Sequence, residues 1–144
     1  MDRKMRIELD LNKEKIELYV GKYKVGFIEF LIDATQINVV DLTIVKDEQF
    51  QGYGRLLINV IKGVASYFKK PIYLISREEK VEFYEKVGFF SMSKLYQDVL
   101  GEWAYKGKVV HIKNLNPEKD RYKQVGDVDM LWIPQSLTEV DVFL

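Results

Sequence analysis

At 144 residues, 47% of them apolar and 31% charged, the chain has the length and composition of one globular domain and is too apolar for a disordered segment. Lysine plus arginine balances aspartate plus glutamate at 22 each, which argues against a dedicated nucleic-acid binder. Zero cysteines exclude disulfides, thiolate metal sites and a cysteine nucleophile, and a single histidine, His111, excludes a histidine-rich metal centre.

No apolar run reaches membrane-spanning length, and Met1-Asp2-Arg3-Lys4 leads into a charged alternating segment, not a signal peptide. The expectation is a cytoplasmic protein with no membrane or nucleic-acid partner and no bound metal. In chain order, residues 6 to 11 and 15 to 20 alternate polar and apolar side chains around a turn at Asn12-Lys13-Glu14. Gly21-Lys22 marks a second turn, Lys24 to Ile32 reads as a third strand, and Ile37 to Val45 as a fourth. Strands at this spacing with short turns predict an antiparallel meander. A glycine-containing turn follows, and then apolar residues at Leu56, Leu57, Val60, Ile61, Val64, Ala65 and Phe68 mark one face of a helix. Lys69-Lys70 and Pro71 end it, at the dipole-favoured and helix-breaking positions. Ile72 to Ile75 is continuously apolar, as a strand covered on both faces should be. A second helix is predicted from about Glu78 to Val87, with Gly88 as its C-cap. Further on, Gln97 to Tyr105 is expected to hold a helical turn, Lys108 to Lys113 a short strand, Asn114 to Asp120 a charged loop, and Val128 to Ile133 a strand ended by Pro134.

Strand, glycine turn and helix in succession is how backbone N–H groups and a helix N-terminus are presented to a phosphate. The glycine spacing narrows the ligand. A dinucleotide fingerprint needs a third glycine where Leu57 stands, and a Walker loop needs a Gly-Lys-Ser/Thr tripeptide that the chain lacks. What remains is Gln49-x-x-Gly52-x-Gly54, followed about thirty residues later by Phe83-Tyr84-Glu85-Lys86-Val87-Gly88-Phe89. These two stretches resemble the coenzyme A signature Gln/Arg-x-x-Gly-x-Gly/Ala and the Tyr-x-x-x-Gly-Phe helix end of the GNAT superfamily of N-acetyltransferases. The resemblance covers roughly residues 24 to 90, with core motifs in 37–90.

The resemblance implies a single α/β domain over 1–144: a mixed, mainly antiparallel twisted sheet with helices on its faces, of the acyl-CoA N-acyltransferase type. It also implies a trimmed acceptor side, because the turn after the first strand has no room for the two helices the family usually places there. Residues 95–126 then read as an insertion that substitutes for part of that wall. Acetyl-CoA is the implied co-substrate. Its pyrophosphate would meet Gln49, Phe50, Gln51, Gly52, Tyr53, Gly54 and Arg55, with glycine where a Cβ would block close approach. Its pantetheine would lie along the backbone of Thr43, Ile44 and Val45, and an N–H near Leu42 to Ile44 would hold the oxyanion. Tyr84 matches the family's general acid, and the acceptor is a small-molecule or peptide amine that attacks directly.

Asp41, a carboxylate inside an apolar strand, is the leading candidate for the base, with Glu29 and Glu82 behind it; Thr43 and Val39 are expected on its face. Lys46 and Arg55 could add charge to the phosphate site. Each also has a plainer reading. The glycines could be a structural turn, Tyr84 a packing tyrosine, Asp41 an edge-exposed aspartate, and Lys46 and Arg55 solvated surface residues. Trp103, Tyr105 and Trp132 read either as an acceptor pocket or as the small core of the insertion, and His111 as a surface imidazole. Two rival functions stand beside the transferase: a non-catalytic coenzyme A-binding module, and an interaction module on the same scaffold. By analogy with the family, Leu137 to Leu144 would be the strand that pairs or exchanges in a homodimer.

Overall fold

The computed structural model describes residues 4–113 and 123–144; the loop expected at Asn114–Asp120 lies outside the described residues. Strands β1 (Met5–Asp10), β2 (Lys15–Val20), β3 (Tyr23–Ile32) and β4 (Ile37–Ile44) form the expected meander. β1 turns directly into β2, with Lys13 N–H held by Asp10 Oδ1 at 3.0 Å, so no helix intervenes. Helix α1 (Tyr53–Phe68) follows β4, then β5 (Ile72–Ser76), helix α2 (Val81–Lys86) and the two-residue β6 (Phe90–Ser91). The remaining strands are β7 (Tyr96–Gln97), β8 (Trp103–Tyr105), β9 (Lys108–Lys113), β10 (Val128–Trp132) and β11 (Glu139–Phe143).

Seven strands make one sheet in the order β1-β2-β3-β4-β5-β10-β6, in which only β4 and β5 are parallel. The others form a second sheet, β11-β9-β8-β7, with β11 parallel to β9. The amphipathic face of α1 buries Leu57, Ile58, Ile61, Val64 and Ala65 against Ile16, Leu18, Ile28, Phe30 and Ile37. A second core lies between the far end of the large sheet and the small one, where Tyr73, Phe90 and Leu131 meet Val110, Val140 and Val142. Phe90 and Tyr105 stack there with centroids 4.0 Å apart.

Two expectations change. The segment Gln97–Tyr105 is a hairpin between β7 and β8, not a helical turn. Asp98 Oδ1 accepts from the N–H groups of Leu100 (2.8 Å) and Glu102 (3.0 Å), and Gly101 takes φ +79°, so a local side-chain turn outcompetes the helix. The helix predicted from Glu78 begins as a 3₁₀ turn, Glu78–Lys80, and is α-helical only over Val81–Lys86. The terminal strand is engaged within its own chain: β11 pairs with β9, and the buried Gln36 side chain holds both backbone groups of Phe143. Its Nε2 donates to Phe143 O at 2.9 Å, and Phe143 N–H donates to its Oε1 at 2.7 Å.

Candidate active site

β4 carries the feature from which the site is built. Its ladder to β3 runs in one register from Ile44 to Asp41 and in a shifted one from Val39 to Ile37, so Val40 is an extra, bulged residue. Ile37 N–H bonds Pro71 O on the β5 side, whereas Val45 N–H bonds Val25 O on the β3 side. Eight residues apart, those two amides would point the same way in a regular strand; the bulge reverses them. On the β5 side the pairing stops after Ile37↔Ile72 and Asn38↔Tyr73. Beyond that point the two parallel strands diverge, and β5 pairs onward with β10. This divergence, at the carboxyl ends of parallel strands, is where open α/β sheets take ligands.

The register decides which backbone groups face the opening. Thr43 and Val45 direct theirs to β3, so of the three residues expected along the pantetheine only Ile44 turns outward, together with Leu42. Gln49 Nε2 donates to Ile44 O at 3.2 Å, which ties the glycine turn to the strand end. Val39 does not share a face with Asp41, contrary to the period-two expectation. The bulge places Val39 with Leu42 towards α1, opposite the buried Phe30 and Ile28, and leaves Asp41 and Thr43 on the other face. There the Thr43 hydroxyl donates to Asp41 Oδ1 at 2.9 Å, and Glu29 stands opposite Asp41 with Lys15 at 3.8 Å from it.

After a 3₁₀ turn at Lys46–Glu48, which carries the exposed Lys46, the chain enters α1 through two left-handed residues, Phe50 (φ +66°) and Gly52 (φ +82°). Leu56 N–H takes Gly52 O at 3.1 Å, so Tyr53, Gly54 and Arg55 supply N–H groups ahead of the first helical bond. Among the described residues no side chain caps this end, and the first turn holds no acid. Such an end is suited to an anion. Phe50, Gln51 and Arg55 are exposed around it, and Tyr53 is half-buried. The two glycines have different jobs. Gly52 is needed for its backbone angle, since a Cβ there would meet nothing within 4 Å. Gly54 is needed for packing, because a Cβ there would stand 3.1 Å from Phe83 Cζ. The motif glycine is thus the joint on which α2 seats.

That joint places Tyr84. Its ring meets Phe83 and Phe89 edge-on, at 5.1 and 5.7 Å between centroids. Gly88 at φ +100° turns the chain so that Phe89 N–H closes back on Tyr84 O at 3.0 Å. Burial, and secondarily the Asp41 carboxylate, push the Tyr84 hydroxyl up to about 12. The fold therefore brings Tyr84 within electrostatic reach of Asp41, 43 residues away in sequence.

Glu82 is exposed and paired with Lys86 at 3.1 Å on the outside of α2, away from any such arrangement. The three aromatic candidates are not gathered. Tyr105 belongs to the second core, Trp103 is exposed, and Trp132 packs on the α1 side beneath Lys62. His111 lies on β9 in an ion pair with Glu139, which raises its pKa.

Two polar side chains outside these candidates make tertiary contacts that a reading of the sequence does not single out. Lys62 on α1 donates to Val87 O at the end of α2 and lies 5.3 Å over the Trp132 ring, with its ammonium depressed by burial and by Arg55. Asp129 on β10 accepts from Tyr73 Oη at 2.6 Å and Lys123 Nζ at 2.6 Å. A carboxylate within an apolar strand was the available signal for Asp129, as it was for Asp41. Among the described residues no three acidic or histidine side chains converge on a metal-sized site, and no helix is long and apolar enough to cross a membrane.

A mixed sheet with one diverging parallel pair, and an uncapped helix N-terminus at the divergence, define an acyl-CoA N-acyltransferase fold. Residues 2–99 match the acetyltransferase (GNAT) domain family, and the chain belongs to it. Similar solved structures are Escherichia coli ElaA (13% identity, TM-score 0.56, covering 81% of this chain and 66% of that one) and the ribosomal-protein-S18-alanine N-acetyltransferase of Escherichia coli (14%, 0.58, 88% and 72%). The N-acetyltransferase YlbP of Bacillus subtilis in complex with coenzyme A is another (20%, 0.54, 85% and 68%). This chain thus spans about two thirds of the length of those proteins. No curated protein matches it by sequence.

Proposed function

We propose that the chain transfers an acyl group, acetyl in the first instance, from coenzyme A to a primary amine by direct attack. Three features support this reading: the uncapped N-terminus of α1, the outward backbone of Leu42 and Ile44 at the divergence of β4 from β5, and the half-buried Tyr84, whose hydroxyl feels the Asp41 carboxylate. The N–H groups of Tyr53, Gly54 and Arg55 hold the pyrophosphate, with the turn from Gln49 to Gly52 shaping the approach. The pantetheine lies along the open side of β4, and the amide of Leu42 or Ile44 faces the thioester oxygen.

The amine lone pair attacks the thioester carbon, giving a tetrahedral oxyanion. One amine proton leaves towards Asp41, directly or through water. As the C–S bond breaks, the thiolate takes the Tyr84 hydroxyl proton, which returns from solvent. A hydroxyl pushed up to about 12 is protonated at every physiological pH, so Tyr84 is always loaded as a donor. Carboxylates on the acceptor face, Asp41 and Glu29 opposite each other, favour a cationic amine on approach.

The test is calorimetric titration with acetyl-CoA followed by thiol release with an amine panel, on wild type and Tyr84→Phe. Tyr84→Phe should keep coenzyme A affinity and lose about 10²-fold in kcat, the usual worth of a positioned proton donor. In wild type, no alkaline loss assignable to Tyr84 should occur below its raised pKa. Binding without turnover of any amine would favour the coenzyme A-binding module, and absence of binding would remove both readings.

A further inference from the structure

The large sheet ends in β1, and this edge is written for pairing with itself. Gly21 N–H bonds Lys4 O at 2.8 Å, in the same register that pairs Arg6 with Tyr19, Glu8 with Glu17 and Asp10 with Lys15. Lys4, Arg6, Glu8 and Asp10 therefore direct their backbone groups to β2, while Met5, Ile7 and Leu9 direct theirs outward, where no strand of the described chain lies. The outward-facing residues are also apolar and exposed: Met5 58%, Ile7 37% and Leu9 45%. They lie on the side of the sheet that α1 covers, but beyond its reach. Beside them an apolar groove of about 240 Å³ is lined by Leu9, Leu11, Val60, Gly63, Tyr67 and Phe68 among others.

We propose that β1 pairs antiparallel with β1 of a second copy, with Ile7 on the two-fold axis. The commitment to a second copy rests on charge complementarity. With Ile7 opposite Ile7, Met5 faces Leu9 of the second copy, and all three outward-facing residues of each strand exchange backbone hydrogen bonds. The same register sets Arg6 against Glu8 and Lys4 against Asp10 of the second copy, so every charged position on the other face meets its opposite. Sliding by two in one direction puts Glu8 against Glu8, and in the other Arg6 against Arg6. The register with the most hydrogen bonds is therefore also the one with no like-charge pair among them. Met5 of the second copy, opposite Leu9, reaches the mouth of the groove and gives it an apolar occupant.

Such an interface is isologous and closes, because each β1 edge is used up by the other. In the free chain the Arg6 guanidinium is 3.0 Å from Glu8 of its own strand and 4.5 Å above the Tyr19 ring; both arginine contacts lie on the sheet face and leave the strand edge open. The outward row is otherwise the kind of exposed edge that proteins avoid leaving unprotected.

The experiment is sedimentation velocity of the full chain over a micromolar-to-millimolar series, with three sets of variants. Wild type should sediment as a dimer. Ile7→Pro should be monomeric yet cooperatively folded, because the lost N–H points away from β2 and an edge strand tolerates proline there. Arg6→Glu and Glu8→Arg should each be monomeric alone and should form a one-to-one dimer when mixed, since mixing restores both cross-strand pairs. Ile7→Cys, in a chain with no other cysteine, should oxidise to a disulfide-linked dimer. A wild type that stays monomeric throughout the series overturns the proposal. So does a dimer that survives Ile7→Pro, or a mixture of the two charge variants that stays monomeric while each is folded.

Discussion

Before Val40, β4 is an ordinary inner strand, with β3 bonded on one side and β5 on the other. After Val40 it keeps β3 but loses β5, and its outward backbone at Leu42 and Ile44 faces an opening. The two halves have similar composition, and each alternates its side chains, out of phase with the other. They differ by one inserted residue, which bends the strand and leaves a partner row free. In this sheet, then, the site comes from a local fault in pairing, and the side chains that would act on substrate are placed around it.

Deleting Val40 would break that contrast most completely. The remaining residues of β4 would keep their present faces, because Val39 and Asp41 would then simply alternate. The expected result is a chain that still unfolds cooperatively but loses about 10²-fold or more in acyl transfer, the cost of displacing reacting groups by about an ångström. Thermal unfolding and the thiol-release rate report the two halves of that statement, and an active deletion variant would mean the opening does not depend on the bulge.

Gly26 is the next test. It is buried opposite Ile44, and a Cβ there would stand 2.6 Å from Ile44 Cδ1, 3.0 Å from Thr43 O and 3.2 Å from Leu57 Cδ1. Gly26→Ala should destabilise by about 1–3 kcal/mol through overpacking, read by denaturant melts, and should weaken coenzyme A binding because it presses on the open half of β4 and on α1. The smallest effect belongs to Gln49→Ala. Loss of its bond to Ile44 O should lower stability by about 1 kcal/mol or less, since the site is exposed. Its sharper readout is a weaker affinity for coenzyme A with kcat unchanged, because the turn would be less firmly fixed to the strand.

Much of this was legible in the chain, and the reasons are local. Alternation in Lys15 to Val20 and the apolar stripe from Leu56 to Phe68 are periodic signals that burial alone enforces. Gln49-x-x-Gly52-x-Gly54 and Tyr84-x-x-x-Gly88-Phe89 mark backbone geometry that few residues can adopt, and the left-handed angles at Gly52 and Gly88 are that geometry. The bulge had a signal too. Apolar residues fall at Ile37 and Val39 and then at Leu42 and Ile44, a change of phase centred on the Val39-Val40 pair. Taken as one continuous strand, the stretch puts Val39 on the wrong face. The β7–β8 hairpin was misread for a different reason: Asp98 and Gly101 define the turn, but its strands are only two and three residues long and show no period.

By itself the sequence determined the order of elements as far as Gly88, the amphipathic faces, the family and the two motifs, because each depends on spacing along a few residues of chain. The tertiary structure decided which backbone amides of β4 face the opening, that a Cβ at Gly54 would meet Phe83, and that Tyr84 feels the charge of Asp41. It also decided that Gln36 fastens the terminal strand and that β1 is left as an edge. Each of these is a relation between segments distant in sequence, set by which surfaces must be buried together; only the β4 bulge left a local trace, in the phase change at Val39-Val40.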